Sequence, residues 1–214
     1  MPSSTPPLGR RKSGKKAFWL KQFHTWHWVS SAISLIGMVL FTVTGITLNH
    51  AAEIEGAPVI AERSAALPAN LRAQVAPDDK PDAKKPLPPA IAQWAEETLA
   101  LKAGGDADWS ADEVYLALPR PGGDGWMAID RISGAVTTES TDRGWISYLN
   151  DLHKGRNAGT AWKWFIDIFA VACLIFALTG LLLLQLHSKK RPSTWPIVGF
   201  GLVIPAAIAI FFIH

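Results

Sequence analysis

The amino-acid sequence predicts a mainly α-helical membrane protein with three transmembrane helices and a small α+β module outside the membrane. The 214 residues are 49% hydrophobic and only 18% charged, and the mean hydropathy is +0.14, which is unusual for a soluble domain. Ten Trp stand against two Tyr, and Trp concentrates at membrane–water interfaces. Three apolar stretches have the length of about 20 residues that crosses a bilayer.

A basic tail at 1–25 precedes the first predicted span. It contains six Lys or Arg and no acidic residue. The first transmembrane helix is predicted over 26–49, since the 21 residues from Trp28 to Leu48 carry no charge. This stretch is longer than the roughly 7–15 apolar residues of a signal-peptide core. Its length and the Trp side chains at its start favour a permanent anchor over a cleaved signal peptide.

Three segments follow between the first and second spans. The range 50–87 is rich in Ala, Pro, Asp and Lys, and it is interpreted mostly as a linker with room for a short ordered piece. The range 88–142 is expected to form the module, which combines a helix that begins at prolines with an antiparallel meander. A pre-membrane segment occupies 143–161. The strands of the meander are predicted over 113–118, 126–130 and 135–139.

Two further spans complete the predicted chain. The second transmembrane helix is predicted over 162–187, where the residues from Ile168 onward are almost all apolar. A short loop at 188–194 carries three Lys or Arg and no acid. The third helix is predicted over 195–213, which contains no charged residue. Pro205 is expected to kink this helix, because proline removes a backbone hydrogen bond.

The distribution of charge predicts the orientation of the chain. The segments 1–25 and 188–194 carry nine positive charges and no acid, whereas 50–161 contains 11 Lys or Arg against 17 Asp or Glu. The positive-inside rule therefore places both basic segments in the cytoplasm, and 50–161 and the C-terminus outside. The net charge of +3 reflects this topology and gives no indication of nucleic-acid binding. The single cysteine, Cys173, excludes an intramolecular disulfide and a thiolate zinc site.

Five histidines are candidate ligands, and the predicted orientation sorts them into two groups. His24 and His27 at the start of the first span form the cytoplasmic group with His187 at the end of the second. His50 and His153 form the external group. Imidazoles on two facing helices are what a six-coordinate b-type haem requires. The alternative is that these side chains are amphipathic residues tolerated at the interface. The glycines that would let a flat macrocycle approach are Gly37, Gly45 and Gly180.

Several motifs resemble those of the PepSY-associated transmembrane family. The predicted helix and strands, with their glycine turn, are similar to a single PepSY domain. The resemblance covers residues 20–50 and 88–187. The motifs are Phe23-His-Thr-Trp26 and Thr44-Gly-Ile-Thr-Leu-Asn49 in the first span, Leu152-His-Lys-Gly-Arg156 before the second, and Thr179-Gly-Leu-Leu182 near its end.

The resemblance implies a bacterial inner-membrane protein that binds one or two b-type haems. Electrons would pass toward periplasmic ferric iron or a ferric siderophore, from a quinol or a flavin-containing donor. His24 and His153 match the family's motif histidines, and His50 and His187 are expected ligands by position. His24 or His27 would pair with His187 on the inside, and His50 with His153 outside. The implied enzymatic role is a ferric-chelate reductase or its electron-transfer subunit. Because three helices would hardly enclose a haem, a homodimer or a partner membrane subunit is expected.

Two other functions are open at this point. The first is a non-redox PepSY-type binding or accessory module, with the helices as its membrane anchor. The second is a periplasmic metal-handling protein that uses His50 and His153 for iron or copper, where the acidic external segment attracts cations.

Overall fold

A computed structural model describes residues 11–54, 56–77 and 83–213, without the side chains of 11–13 and 190. The first ten residues of the predicted tail, and positions 55 and 78–82 of the predicted linker, lie outside the described residues. The helices are α1 (Arg11–Asn49), α2 (Ala51–Ile54), α3 (Ala69–Arg72), α4 (Pro89–Leu99), α5 (Gly144–Lys154), α6 (Gly159–His187) and α7 (Thr194–Phe212). The strands are β1 (Val59–Ala66), β2 (Ala83–Pro86), β3 (Asp106–Trp109), β4 (Glu113–Ala117), β5 (Gly123–Asp130) and β6 (Ala135–Asp142).

Three helices are long and apolar enough to cross a membrane, which confirms the predicted number of spans. They are α1 from Gly14 onward, α6 and α7. Large apolar side chains on them, such as Ile36 and Leu202, are exposed, as expected where lipid surrounds a helix whose backbone hydrogen bonds are all internal. The helices therefore imply a lipid bilayer as the environment of the chain.

The first membrane helix begins earlier than the predicted span, and the third contains Pro205 within it. α1 begins at Arg11, well before position 26, because the basic stretch contains good helix formers and no proline interrupts it. α7 continues through Pro205 as one helix. Proline is tolerated in membrane helices, where neighbouring groups satisfy the freed carbonyl.

The described residues fall into two compact units, and the first contains the chain up to Val39 and from Phe165 onward. In this unit α1 meets α6 at a glycine. A Cβ atom added to Gly37 would lie 2.4 Å from Cε2 of Phe169, so a larger residue does not fit. The Ser34 side chain is buried, and its hydroxyl donates to the Ser30 carbonyl at 2.7 Å. Small residues of this kind are typical of helix contacts in membranes.

The second unit, Leu40–Trp164, contains the α+β module. Its sheet has six antiparallel strands in the order β1-β6-β5-β4-β3-β2. The three predicted strands correspond to β4, β5 and β6, and Ile129 near the end of β5 pairs with Val114 on one side and Val136 on the other. The predicted meander is therefore confirmed, and three further strands extend it.

The structure corrects the interpretation of 50–87 as mostly linker. β1 pairs with β6 over its full length, from Val59 opposite Asp142 to Ala66 opposite Ala135, and β2 pairs with β3. Almost every side chain in β1 and β2 is exposed. Neither strand therefore shows the alternation of apolar and polar residues that is typical of a half-buried strand. Backbone pairing to the neighbouring strand holds these edge strands, and the hydrophobic pattern gives no signal for them.

The helix α4 covers one face of the sheet and supplies much of the core. Ile91, Ala95 and Leu99 on its inner face are buried, as the sequence predicts, and they pack with sheet residues such as Met127. The helix ends where Ala100 adopts a left-handed conformation with φ 52°. The chain then leaves the sheet surface, so that α4 covers only part of this face.

The pre-membrane segment 143–161 contains α5, which positions one of the candidate histidines. The buried Asp151 carboxylate accepts a hydrogen bond from the Gly122 amide at 2.9 Å, which ties α5 to the sheet. The Trp162 indole N–H donates to the Leu152 carbonyl at 2.8 Å, which ties α5 to the start of α6. His153 therefore sits on a helix that is held at both of these points.

Candidate functional site

Three of the five candidate histidines line one cavity in the first unit. The cavity has a volume of about 580 Å³, which is within the range of small-molecule sites. His24 and His27 come from α1 and His187 from the end of α6. The wall is otherwise apolar apart from one cation and one hydroxyl. The remaining lining residues are Gly180, Leu183, Leu184, Arg191 and Thr194.

His24 and His187 face each other across this cavity. Their ring centres are 6.4 Å apart, and the ring planes are inclined by 73°. The Nδ1 atom of His187 lies 2.8 Å from the Leu183 carbonyl oxygen. Because a carbonyl only accepts, Nδ1 carries a proton, and in the neutral imidazole Nε2 is then the nitrogen that can bind a metal. Metal–imidazole bonds are about 2 Å long, so two imidazoles on opposite sides of one ion have ring centres roughly 6 Å apart.

His27 contacts α6 instead of the His24–His187 pair. Its ring stacks on Phe176 with centres 4.6 Å apart, and Nδ1 lies 3.2 Å from the Phe176 carbonyl oxygen and 3.1 Å from Oγ1 of Thr179. The Thr179 hydroxyl donates to the Ile175 carbonyl at 2.7 Å, so it accepts from His27. The proton of His27 is therefore on Nδ1, and Nε2 is free to bind a metal.

His153 makes the corresponding contact in the second unit. Its Nδ1 atom lies 2.7 Å from Oγ1 of Thr44 in α1, and the Thr44 hydroxyl donates to the Leu40 carbonyl at 2.9 Å. A hydrogen bond therefore joins the Thr44 hydroxyl to Nδ1 of His153, and no hydrogen bond to Nε2 is found among the described residues. The ring packs against Phe41, with centres 4.9 Å apart.

The contacts of His27 and His153 are built from the same dipeptide, Thr-Gly. A Cβ atom added to Gly180 would lie 3.3 Å from Cε1 of His27, and one added to Gly45 would lie 3.6 Å from Cε1 of His153. In each case the threonine binds Nδ1 and the following glycine leaves room for the ring. The sequence analysis missed the role of the two threonines. The recurrence of Thr-Gly near the end of two spans is the signal that could have revealed it.

His50 has a different environment from the other candidates. Its Nδ1 atom lies 2.7 Å from Oε2 of Glu53, and both side chains are at least half exposed. Among the described residues no hydrogen bond or ring contact joins His50 to His153. The two predicted external ligands are therefore not brought together by direct contact.

A buried asparagine lies one helical turn before His153. The Asn150 side chain is 1% exposed, and its Oδ1 atom accepts a hydrogen bond from the Thr47 hydroxyl at 2.8 Å. Its Nδ2 group has no partner in the described part of the chain. Thr44 and Thr47 thus place two hydroxyls of α1 opposite two polar residues of α5. Among all the described residues, the histidine clusters included, no group of three or more His, Cys, Asp or Glu side chains is arranged to hold a metal ion.

The comparison with known families agrees with the resemblance seen in the motifs. The sequence profile of the PepSY_TM-like family matches residues 18–214. No curated protein and no solved structure matches the chain. The matched range includes the three spans, the sheet and all five candidate histidines. This multi-pass membrane protein therefore belongs to the PepSY_TM-like family.

Proposed function

We propose that this chain binds b-type haem and carries electrons across the bacterial inner membrane. The observation that carries the proposal is the pair His24 and His187, whose rings face each other at 6.4 Å across a largely apolar cavity. His187 has its Nδ1 proton held by a backbone carbonyl. Histidines that bind metal commonly donate their second ring nitrogen in this way, which fixes the tautomer and the ring orientation.

The other residues of the cavity fit a haem. Leu183 and Leu184 provide apolar walls, and Gly180 leaves the room that the His27 ring occupies. Arg191 supplies a positive charge that can pair with a carboxylate of the macrocycle. Bound haem would supply one-electron chemistry, with a potential set by its axial ligands and by burial. His24 and His187 would be those ligands, and His27 would support the cavity from its contact with α6.

His50 and His153 are the proposed ligands of a second haem on the external side. Both have their Nδ1 atom engaged, by Glu53 and Thr44 respectively, and both keep a free Nε2 atom. A second haem would let electrons reach a periplasmic acceptor, for which ferric iron or a ferric siderophore is proposed. A quinol or a flavin-containing protein would be the donor.

A second copy of the chain or a partner membrane subunit is proposed to cover the inner cavity. His24 and His187 are exposed within a single chain, and this exposure would leave a haem open to lipid. Symmetric pairing of small membrane subunits is a common way to enclose such a site.

The visible spectrum of the full chain tests the proposal. The protein is purified in mild detergent after expression with added haem precursor, and spectra are recorded before and after dithionite reduction. We expect a Soret band and sharp reduced bands that are typical of two imidazole ligands. His24→Ala and His187→Ala should each remove the same part of the haem, whereas Ser188→Ala, a neighbouring change outside the cavity lining, should remove none.

Three results would contradict these assignments. Absence of a Soret band in the wild type would favour the non-redox binding module. Loss of haem in His27→Ala but not in His24→Ala would show that His27, and not His24, is the inner ligand. Full haem content in both His50→Ala and His153→Ala would show that these two histidines do not hold a second haem.

A further inference from the structure

The exposed part of the sheet face beside α4 forms a trough, which is separate from the histidine clusters. Its volume is about 880 Å³, within the range of small-molecule sites. One wall is the chain after α4, from Leu99 to Gly105, and the floor is the sheet itself. The trough exists because α4 ends at Ala100, whose left-handed conformation turns the chain before the face is fully covered.

The floor of the trough is made of small residues in neighbouring strands. Ala61 of β1 lies opposite Ser140 of β6, which in turn lies opposite Gly125 of β5. Larger side chains at these positions would fill the space. The Ser140 hydroxyl has no hydrogen-bond partner within the described residues, so it is available to a ligand.

The rim of the trough carries more positive than negative charge. Four charged residues line it: Arg63, Lys102, Arg120 and Asp124. The Asp124 carboxylate pairs with Arg143, and Arg120 lies 3.5 Å from the Asp142 carboxylate. Arg63 and Lys102 then remain without an acidic partner in the described part of the chain.

Both side chains have N–H groups that make no hydrogen bond with the described residues. Arg63 donates one side-chain hydrogen bond, to the Leu99 carbonyl at 2.6 Å, out of the five N–H groups of a guanidinium. Lys102 donates none within the described residues. The surrounding segment 50–161 is acidic, with 11 Lys or Arg against 17 Asp or Glu, so a cationic trough is a local exception to the charge of the module.

We infer that this trough binds a small, multiply charged oxyanion, with Arg63 and Lys102 as its cationic contacts and Ser140 as a donor from the floor. A guanidinium and an ammonium that converge on one cavity match the geometry of carboxylate or phosphate groups. The enclosed volume suits a molecule of the size of a tricarboxylate. The inference does not depend on haem, since none of the trough residues belongs to the histidine clusters.

Equilibrium dialysis of the full chain in detergent, with radiolabelled citrate and separately with pyrophosphate, tests this site. We expect saturable binding of one anion per chain at low ionic strength. Arg63→Gln and Lys102→Gln should each weaken binding about tenfold or more, because each removes a charge-assisted contact. Gly125→Val should block the floor. Lys84→Gln, which changes a lysine of β2 outside the trough, should bind like the wild type.

The two probes identify the class of oxyanion. Binding of citrate alone indicates a carboxylate ligand, binding of pyrophosphate alone indicates a phosphoryl ligand, and binding of both indicates recognition of charge; each result supports the site. Saturable binding of neither probe overturns the inference. Equal weakening by Lys84→Gln and Lys102→Gln also overturns it, because the attraction would then be a diffuse effect of surface charge. Lys102 is exposed and has no hydrogen-bond or ion-pair partner among the described residues, so its variant tests the site even where Arg63→Gln disturbs the end of α4.

Discussion

At the scale of single residues, four of the five candidate histidines share a hydrogen-bonded Nδ1. In His27 and His187 this atom donates to a backbone carbonyl, in His50 it pairs with a carboxylate, and in His153 it is bonded to a threonine hydroxyl. The same bond serves a ligand histidine and a purely structural one, because it both fixes the tautomer and joins two elements. Thr44 is the best position at which to test the structural role, since it is the only hydrogen-bond partner of the His153 ring among the described residues.

Replacement of Thr44 by valine should destabilise the contact between α1 and α5. Thr44→Val removes the hydrogen bond to Nδ1 of His153, which costs about 1 kcal/mol of unfolding free energy for a hydrogen bond of this kind. Thr44→Ser keeps the hydroxyl and should retain most of the stability. Denaturant unfolding of the detergent-solubilised chain, followed by Trp fluorescence, measures the difference. A Ser variant less stable than the Val variant would show that the methyl group, not the hydroxyl, matters here.

At the scale of elements, the sequence predicts the helices and strands whose pattern of apolar and polar residues reflects the environment of their side chains. The three spans follow from uncharged stretches, and α4, β4, β5 and β6 follow from apolar periodicity. The strands β1 and β2 could not be predicted in this way, because nearly all their side chains are exposed, so that they lack apolar periodicity and are placed mainly by backbone pairing. The contacts of His27 and His153 were missed for a similar reason, since spacing along one helix does not reveal which residue of another helix accepts a proton.

The contact between α1 and α6 should depend on the absence of a side chain at Gly37. Gly37→Ala would bring a Cβ atom to 2.4 Å from Cε2 of Phe169, and overpacking of this kind costs about 1–3 kcal/mol. Gly14→Ala is the matched control, since a Cβ atom there meets nothing within 4 Å and alanine favours the helix. Thermal unfolding in detergent should show a lower midpoint for Gly37→Ala only. The double variant Gly37→Ala, Phe169→Leu should recover part of the loss, and no recovery would place the strain elsewhere.

At the scale of the whole molecule, the distribution of charge along the sequence predicts the topology. The two cavities, by contrast, are formed by residues that lie far apart in the sequence. The trough combines residues from Ala61 to Ser140, and the inner cavity combines the first span with the end of the second. No local motif marks the trough, and the motifs that contain His24 and Gly180 do not by themselves show that these residues line one cavity. The charge partition, by contrast, is a property of whole segments, which is why a single sequence is enough to predict an orientation from it.

The predicted orientation can be tested with introduced cysteines. In a Cys173→Ser background, Ala111→Cys in the module, Ser193→Cys before α7 and Ile213→Cys after it are all exposed positions. A membrane-impermeant maleimide added to intact spheroplasts should label the Ala111 and Ile213 variants, and should label the Ser193 variant only after lysis. The physical reason is that nine uncompensated positive charges lie in 1–25 and 188–194, and such segments resist translocation. Labelling of the Ser193 variant in intact spheroplasts would show that the orientation is the opposite of the predicted one. The acidic module with its cationic trough would then face the cytoplasm.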